Sequence, residues 1–507
     1  MKYPKSFLLL VLVFFVPFTM PGFSAAKETA KAAENAGKKS LHPKEDYYEL
    51  YKLLADTVDQ VDRNYVKEVD RRELIEAAIR GVINKLDPYS SYIGPEELAQ
   101  FRSSVDNEFG GIGIHVSIED GDLKVLSPIY GTPAYRAGVQ AGDRIVEIEG
   151  KNTEGILPDD AIRWMKGAEG TKVSIIVVHA GKTNREKFTL TRERVHVETV
   201  LGDRRKADDH WEFMYDEKSL IGFIRISAFS QETAKELRTA LEELKRHKVH
   251  GLVLDLRFNP GGLLRAAIEV SNLFISDGRI VSTKGRNTPE RVWDAHGIAI
   301  FEGIPMVILV NHYSASASEI VSACLQDHKR TVVMGERTWG KGSVQNIIEL
   351  ENGRSALKLT TAAYKRPSGK NIHRFPNSKD KDEWGVMPDL GYELGLNERE
   401  THELLVDRRN RDIILAHATG EKSAPATSGR VRDKPAVAPA ELPASLGPVV
   451  KDEPLARRTG FTKPDADRRS TETEPKPAAE KKPFVDRQLE MAVKYLRDEL
   501  GKKPGKP

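Results

Sequence analysis

The sequence contains very little cysteine and almost no net charge. Its 507 residues include one cysteine, Cys324, so no disulfide can form within the chain. Lys and Arg number 78 against 75 Asp and Glu, which gives a formal net charge of +3. No strong field of one sign is therefore available to attract nucleic acid or an anionic membrane. The length predicts roughly two to four domains.

Long hydrophobic runs are also scarce, and the single one lies at the start of the chain. The apolar run Phe7–Phe18 follows the basic residues Lys2 and Lys5 and precedes the small residues of PGFSAAK. This order is typical of a secretory signal peptide, with cleavage after Ala26. The run is shorter than the ~20 residues of a membrane span, and Pro17 interrupts it. We therefore predict an exported protein, periplasmic or extracellular; an uncleaved membrane anchor is the alternative.

Several common functional motifs are missing or incomplete. No G-x-S-x-G occurs, which argues against the usual α/β-hydrolase arrangement. His402 and Glu403 open an H-E-x-x-H pattern, but Val406 stands where the second histidine belongs. Gly335–Lys341 fits the phosphate-loop pattern G-x-x-x-x-G-K, but Gly342 replaces the required Ser or Thr, and a predicted strand follows instead of a helix. Neither a metal site nor a nucleotide site is predicted.

Changes in residue pattern divide the chain into segments. Short β-type runs between glycine turns predict a small β-rich domain, and alternating strands and helices predict an α/β core with a mostly parallel sheet. A stretch rich in Pro, Ala, Lys and Glu predicts disorder. The predicted fold is an α/β (α+β) multidomain chain with a signal peptide (1–26), a linker (27–45), an N-terminal helical region (46–105), the β-rich domain (106–195), the α/β core (196–418), a disordered linker (419–483) and a C-terminal helix (484–501).

Three clusters rich in glycine or serine follow predicted strands of the core, where α/β proteins build their sites. They are NPGG (259–262), YSASASE (313–319) and GERTWGKGSVQ (335–345). A serine in the second cluster could attack only if a base accepts its proton. Two bases are open: His312, which is near in sequence, and Lys341. For Lys341 to act near neutral pH, its pKa must fall from ~10.4 by roughly 3 units, which desolvation can supply.

These clusters, in the forms LVLDLRFNPGGLL, NHYSASASEIVSACLQD and GERTWGKGSVQ, are followed by TAAYKRPSGKNI and preceded by LDPYSSYIGPEEL. In this order they resemble the carboxy-terminal processing peptidases, also called tail-specific proteases, over roughly residues 45–395. The resemblance implies a serine endopeptidase that needs no metal or cofactor. It assigns Ser316 as nucleophile, Lys341 as general base, Gln345 as the residue that helps orient the lysine, and Gly262 and Ala317 as oxyanion donors.

The β-rich segment resembles a PDZ domain. FGGIGI looks like its carboxylate-binding loop, and SPIYGTPAYRAGVQAGDRIVEIEG like the rest of its core. PDZ domains bind an extended C-terminus by strand addition. The resemblance implies capture of apolar C-terminal tails of protein substrates, with these residues in the binding site: Gly111, Ile112, Gly113, Ile114 and, lining the side-chain pocket, Met165.

The resemblance also bears on partners and on one alternative function. Members of the family commonly form homodimers through N- and C-terminal helices, so a homodimer is predicted, and a regulatory adaptor is a further candidate partner. Phe258 stands where the family more often has Asn, just before NPGG. The alternative is a non-catalytic PDZ adaptor or chaperone on a protease-like scaffold. The intact set of Ser316, Lys341 and Gln345 favours the enzyme.

Overall fold

The structure is a computed structural model, and it describes residues 47–414 and 484–502. The predicted signal peptide, the linker 27–45 and the predicted disordered linker 419–483 lie outside the described residues. Among the helices that are described, none is both long enough and apolar enough to cross a membrane.

The described residues form ten α-helices and twenty-one β-strands. The helices are Tyr47–Asn64 (α1), Arg71–Ile83 (α2), Pro95–Asp106 (α3), Pro133–Ala137 (α4), Pro158–Met165 (α5), Thr233–Arg246 (α6), Leu264–Asn272 (α7), Ala317–Asp327 (α8), Glu398–Asp412 (α9) and Arg487–Gly501 (α10). The strands are Ser91–Ile93 (β1), Glu108–Gly111 (β2), Ile114–Glu119 (β3), Asp122–Pro128 (β4), Arg144–Ile148 (β5), Lys151–Asn152 (β6), Lys172–Val178 (β7), Arg185–Thr191 (β8), Glu193–His196 (β9), Val200–Leu201 (β10), Arg204–Arg205 (β11), Trp211–Glu212 (β12), Met214–Asp216 (β13), Ile221–Ile226 (β14), Gly251–Asp255 (β15), Arg279–Lys284 (β16), Arg291–Asp294 (β17), Met306–Val310 (β18), Val332–Gly335 (β19), Ser343–Leu350 (β20) and Ser355–Lys365 (β21).

The chain divides into two compact units, with the boundary between Ala78 and Ile79. In the first unit, α1 has no buried residue, and apolar side chains at helical spacing remain exposed: Leu50, Leu53 and Leu54. The Nε of Arg71, at the start of α2, donates to the Asp62 carboxylate of α1 at 3.0 Å. Within the described residues of the first unit, α1 therefore leaves a row of apolar side chains exposed.

In the second unit, a small antiparallel sheet holds its strands in the order β3-β4-β5-β7-β8, with β6 pairing β5. Its apolar side chains alternate toward one cluster that includes Val125, Ile145, Ile175 and the α5 residue Ala161. The alternation follows from the two-residue period of strands, which turns every second side chain to the same face. Strand β3 lies at the edge of this sheet, so one side of its backbone is not paired within the sheet.

A second sheet forms the centre of the α/β core. Its strands β14, β15, β18 and β19 are parallel neighbours, and β10 and β13 pair antiparallel with β14. Every residue of β14, β15 and β18 is buried. Such continuous apolar runs are typical of parallel strands covered on both faces. Helices α6, α7 and α8 contribute to the apolar cluster on one face, for example through Leu241, Val270 and Ile320 against Ile308.

The C-terminal helix α10 covers the other face of this sheet. Its buried residues Leu489, Ala492, Val493 and Leu496 form one cluster with sheet side chains that include Phe223, Val253 and Leu309. The helix was predicted from its apolar spacing over 484–501, and the structure begins it at Arg487. Its apolar face packs inside the chain, against the sheet.

The prediction of a mostly parallel sheet for the core is too simple. A third sheet joins β1, β16, β17, β20 and β21, and all of its described pairs are antiparallel. Across the described residues most strand pairs are antiparallel, and within named strands parallel pairing is confined to β14, β15, β18 and β19. The error arose because the long hairpin β20–β21 and its partner strands give the same β-type pattern whichever way they pair.

Candidate active site

The three glycine and serine clusters lie at one edge of the central sheet. NPGG follows β15, YSASASE follows β18, and the loop that carries Lys341 follows β19. These three parallel strands are adjacent, with Leu254 opposite Ile308 and Val310 opposite Gly335. Because the carboxyl ends of parallel strands meet at one edge, the three loops converge there. This is the position at which open α/β sheets bind their ligands.

Ser316 is the residue immediately before α8 and occupies a sharp turn. Its φ of 55° and ψ of −111° place a non-glycine residue in a region that L-amino acids rarely adopt. Its side chain is buried, with the residue 6% exposed. A strained backbone conformation of this kind persists only where the surrounding contacts hold it in place, and such conformations are common at functional sites. The turn sets the serine side chain at the N-terminus of a helix of eleven residues.

The two predicted oxyanion donors lie beside this serine. A Cβ at Gly261 would lie 2.7 Å from the Ser316 Cβ and 2.9 Å from the Ala317 nitrogen, so only glycine allows the loop to approach so closely. Leu263 N–H and Gly261 C=O both bond to Phe229, which leaves the N–H of Gly262 outside that pairing. Within the described residues, no hydrogen bond engages the N–H of Gly262 or of Ala317. Free N–H groups at a helix start are suited to hold a developing oxyanion.

A buried carboxylate joins the serine to the lysine loop. Glu319 is 0% exposed, and its Oε2 accepts from the backbone N–H of Ser316 and of Lys341, each at 2.8 Å. Its Oε1 accepts from the Thr338 hydroxyl and the Gly340 N–H, each at 2.6 Å. Burial raises the pKa of Glu319, and these four hydrogen bonds oppose the rise. The sequence analysis missed this residue; its one signal was a Glu three positions after a helix-starting Ser, the capping-box spacing.

Lys341 lies in a partly buried position with a perturbed pKa. The pKa of Lys341 is lowered to about 8, chiefly by burial; the nearby charge of Lys358 also lowers it, while Glu319 opposes the shift. Its Nζ is 5.2 Å from the centre of the Tyr89 ring. The loop is held from the other side by the Arg374 N–H, which donates to the Gly340 carbonyl at 2.8 Å. A lysine with its pKa lowered by desolvation is a candidate general base.

In the part of the chain that the structure describes, Gln345 forms no hydrogen bond with Lys341. Its Nε2 donates to Ser343 Oγ at 2.9 Å and to Thr360 Oγ1 at 3.1 Å. Thr360 in turn donates to the carboxylate of Asp87 at 3.2 Å. Within the described residues, no hydrogen bond joins Lys341 Nζ to either Ser316 or Gln345. Catalytic hydrogen bonds are often long or misaligned in the absence of substrate and tighten when it binds.

His312 is paired with a carboxylate, whereas the Tyr364 side chain interacts with the Ser316 hydroxyl. The Nδ1 of His312 bonds to the Glu336 carboxylate at 2.5 Å, and the His312 side chain is half-exposed. Its ring is thereby paired with Glu336, on the loop after β19, and no hydrogen bond to Ser316 is found in the described part of the chain. Tyr364 was not identified from the sequence. Burial raises the pKa of Tyr364 to about 12, and a contact with the Ser316 hydroxyl opposes this.

The predicted carboxylate-binding loop joins β2 to the edge strand β3. The Ala134 N–H donates to the Ile112 carbonyl, and the Ile129 N–H donates to the Gly113 carbonyl, each at 3.0 Å. In the described residues, no hydrogen bond engages the N–H groups of Ile112 and Gly113. Met165 is 5% exposed and packs within the core cluster of this domain, rather than standing open in a pocket. The loop therefore offers free N–H groups beside an unpaired strand edge.

Models of known families match three parts of the chain. Residues 220–390 match the family model described as Peptidase family S41, and residues 124–178 match the PDZ domain. Residues 16–97 match the N-terminal domain of the activating protease CtpB. The chain is therefore a serine-type peptidase that carries a PDZ domain.

The relatives agree with these matches. The carboxy-terminal-processing protease of Bartonella bacilliformis is 39% identical over 358 residues, which covers 69% of this chain and 77% of the relative. The carboxy-terminal processing protease CtpA of Bacillus subtilis is 36% identical over 338 residues, 66% of this chain and 67% of the relative. A solved photosystem II D1 C-terminal processing protease is 29% identical with a TM-score of 0.38, covering 68% of this chain and 92% of that one. The chain belongs to the carboxy-terminal processing protease family, and the predicted resemblance is confirmed.

The Glu319 network leads to a prediction about activity. Glu319→Gln keeps the size of the side chain but replaces one acceptor oxygen with an NH2 group, which then faces backbone N–H donors. The loops that carry Ser316 and Lys341 should shift relative to each other, and we expect kcat to fall by roughly 100-fold. Peptide hydrolysis is the measurement, and circular dichroism checks the fold. Glu349→Gln, at an exposed position on β20, is the matched control. Activity of Glu319→Gln within twofold of the unmodified chain would contradict the prediction.

Proposed function

We propose that this chain is an exported serine endopeptidase that acts on the C-terminal regions of proteins by Ser-Lys catalysis. The observation that carries the proposal is the arrangement around Glu319. One buried carboxylate bonds to the backbone of Ser316 and to the backbone of Lys341. The serine lies in a strained turn at a helix N-terminus, and the lysine has a pKa lowered to about 8. These are the properties that a nucleophile and its base require.

In the proposed mechanism, Lys341 Nζ in its neutral form accepts the proton of Ser316 Oγ as that oxygen attacks the scissile carbonyl carbon. The N–H groups of Gly262 and Ala317 donate to the carbonyl oxygen as it becomes an oxyanion. Lys341 then gives its proton to the departing amine when the C–N bond breaks. Water then attacks the acyl carbon while Lys341 accepts its proton, and Lys341 returns that proton to Ser316 Oγ as the bond between that oxygen and the acyl carbon breaks. We propose that, once substrate is bound, Gln345 leaves its present hydrogen bonds with Ser343 and Thr360 and orients Lys341.

We propose that the PDZ domain captures the substrate's apolar C-terminal tail. The tail would add as a strand to the free edge of β3, and its terminal carboxylate would accept from the N–H groups of the loop formed by Gly111, Ile112, Gly113 and Ile114. The free N–H groups of Ile112 and Gly113 support this proposal. Met165 would support the site from the core. A regulatory adaptor remains a candidate partner.

Export and self-association are further proposals. The apolar N-terminal run supports export to the periplasm or the cell exterior, with removal of residues 1–26. The exposed apolar face of α1 supports a homodimer formed through this helix. N-terminal sequencing of the mature chain tests the first proposal. Analytical ultracentrifugation tests the second, since a monomer at micromolar concentration would contradict it.

The catalytic assignment is tested by two substitutions. Ser316→Ala removes the attacking oxygen and Lys341→Ala removes the base, so each should abolish cleavage, with a loss of about 10⁴-fold or more. The substrate is an unstructured reporter with an apolar C-terminal tail, and mass spectrometry identifies the products. His312→Ala is the matched control and should still cleave. Retained activity in either of the first two variants would refute the assignment. Absence of cleavage by the unmodified chain, with the tail still bound, would favour the adaptor function.

The perturbed lysine predicts a pH profile. Only neutral Lys341 can accept a proton, so with a pKa of about 8 the rate should rise about tenfold per pH unit below pH 8 and level off above it. The charge of Lys358 lowers the pKa of Lys341. Lys358→Met removes that charge, so the pKa of Lys341 should rise and the inflection should move to higher pH.

The measurement is kcat/KM from pH 6 to 10 for the unmodified chain and for Lys358→Met. Lys365→Met is the control, because Lys365 is exposed on the same strand and does not influence the pKa of Lys341. A profile without an inflection in this range, or an inflection that moves to lower pH in Lys358→Met, would show that Lys341 is not the base.

A further inference from the structure

Arg257 is buried just before the oxyanion loop. Two of its three side-chain partners, Asp486 and Gln488, come from the C-terminal region of the chain. The residue is 2% exposed and lies two positions after the last residue of β15. Its Nε and Nη2 donate to the Asp255 carboxylate at 3.0 and 2.7 Å. Its Nη1 donates to Asp486 at 2.9 Å and to Gln488 at 2.8 Å, and its Nη2 also donates to Asp486 at 2.7 Å. Since a guanidinium has five N–H donors, all of them are used, and three depend on residues 486 and 488.

Arg257, Arg408, Asp255 and Asp486 form one buried cluster, whose two positive and two negative charges balance only when Asp486 is present. A second buried guanidinium, Arg408, also donates to Asp255. Two cations therefore face Asp255 and Asp486, and removal of Asp486 would leave them one carboxylate. A buried charge that loses its partner is strongly unfavourable, so the loop around Arg257 would be expected to rearrange.

The same cluster is continuous with the catalytic loops. Phe258, next to Arg257, has a left-handed φ of 64°, and its N–H donates to the Asn311 side chain at 2.9 Å. The guanidinium of Arg408 lies 5.3 Å from the centre of the Phe258 ring. The Asn259 carbonyl then accepts from the Ala315 N–H at 3.0 Å. A shift at Arg257 would therefore reach the nucleophile turn through two residues.

Docking of α10 and pairing of Arg257 occur together because they use the same side chains. Asp486 is the N-cap of α10 and accepts from the Leu489 N–H at 3.1 Å. Gln488 also donates to the Leu394 carbonyl at 2.6 Å. The helix that follows covers the second face of the central sheet through Leu489, Val493 and Leu496. When the helix is seated, the carboxylate is fixed on Arg257.

We propose that residues 484–502 are a positioning element of the active site: α10, seated on the sheet, holds the oxyanion loop 259–262 against Ser316 through the bonds of Asp486 and Gln488 to Arg257. This inference rests on the proposed function of Ser316 and its neighbours. Asp486 and Gln488 are positioning residues, because they reach the site only through Arg257.

The test compares two variants of the full chain that change the same segment. Asp486→Asn keeps the size of the side chain and remains a good helix N-cap, but it removes the charge that faces Arg257. We expect kcat to fall by about 10- to 100-fold with KM within about twofold, since the oxyanion loop moves while the PDZ loop is untouched. Arg497→Ala, which removes an ion pair with Asp216 at 2.6 Å, is the control and should keep its kcat.

Peptide hydrolysis and thermal unfolding are measured for each variant. A lower unfolding midpoint in Asp486→Asn with unchanged kcat, or a change in KM alone, would overturn the inference and leave α10 a purely stabilising helix. If Asp486→Asn does not fold, Gln488→Ala, which retains the carboxylate, decides by the same criterion. Failure of the unmodified chain to cleave would overturn the proposed function and this inference with it. Cleavage by the unmodified chain with unchanged kcat in the variants would overturn this inference alone.

Discussion

The site depends on one buried carboxylate. Glu319 receives four hydrogen bonds, three from the loop that carries Lys341 and one from the turn that carries Ser316. A carboxylate removed from water is stable only when its oxygens accept hydrogen bonds. Because the donors to Glu319 come from both loops, these hydrogen bonds hold the two loops at a fixed distance. The strained backbone of Ser316 is affordable in this setting because its N–H is one of those four donors.

The same carboxylate also affects the proposed base. Burial lowers the pKa of Lys341 toward the working range of a base. The positive charge of Lys358 lowers this pKa as well, and the negative charge of Glu319 opposes the shift. The two lysines and the carboxylate thus set the fraction of neutral Lys341 at a given pH. Gln345, bonded to Ser343 and Thr360, is not part of this balance in the present arrangement.

Much of this organisation could be predicted from sequence because it is local. NPGG, YSASASE and the glycine loop of Lys341 each follow an apolar strand, and adjacent parallel strands bring such loops together. The family was predicted from these motifs and the PDZ domain from FGGIGI and SPIYGTPAYRAGVQAGDRIVEIEG, and both are confirmed. The features that could not be predicted are contacts between residues far apart in the sequence. Strand β1 pairs with β21, with Ser91 opposite Lys358, and Arg257 bonds to Asp486, 229 residues away. No local pattern encodes which distant side chain completes a buried charge. Met165 packs into the core of the PDZ domain, and its role in the pocket stays a prediction, since apolar spacing on α5 fits a core and a pocket equally well.

The central claim is that Ser316 becomes acylated with Lys341 as the base, and the most direct test is to observe that intermediate. The chain would be mixed with a reporter substrate, quenched in acid within one turnover, digested and analysed by mass spectrometry. The account predicts a covalent adduct of the substrate's N-terminal fragment on the peptide that contains Ser316, present in the unmodified chain and absent from Lys341→Ala. An adduct on another residue, or an equal adduct in Lys341→Ala, would contradict it.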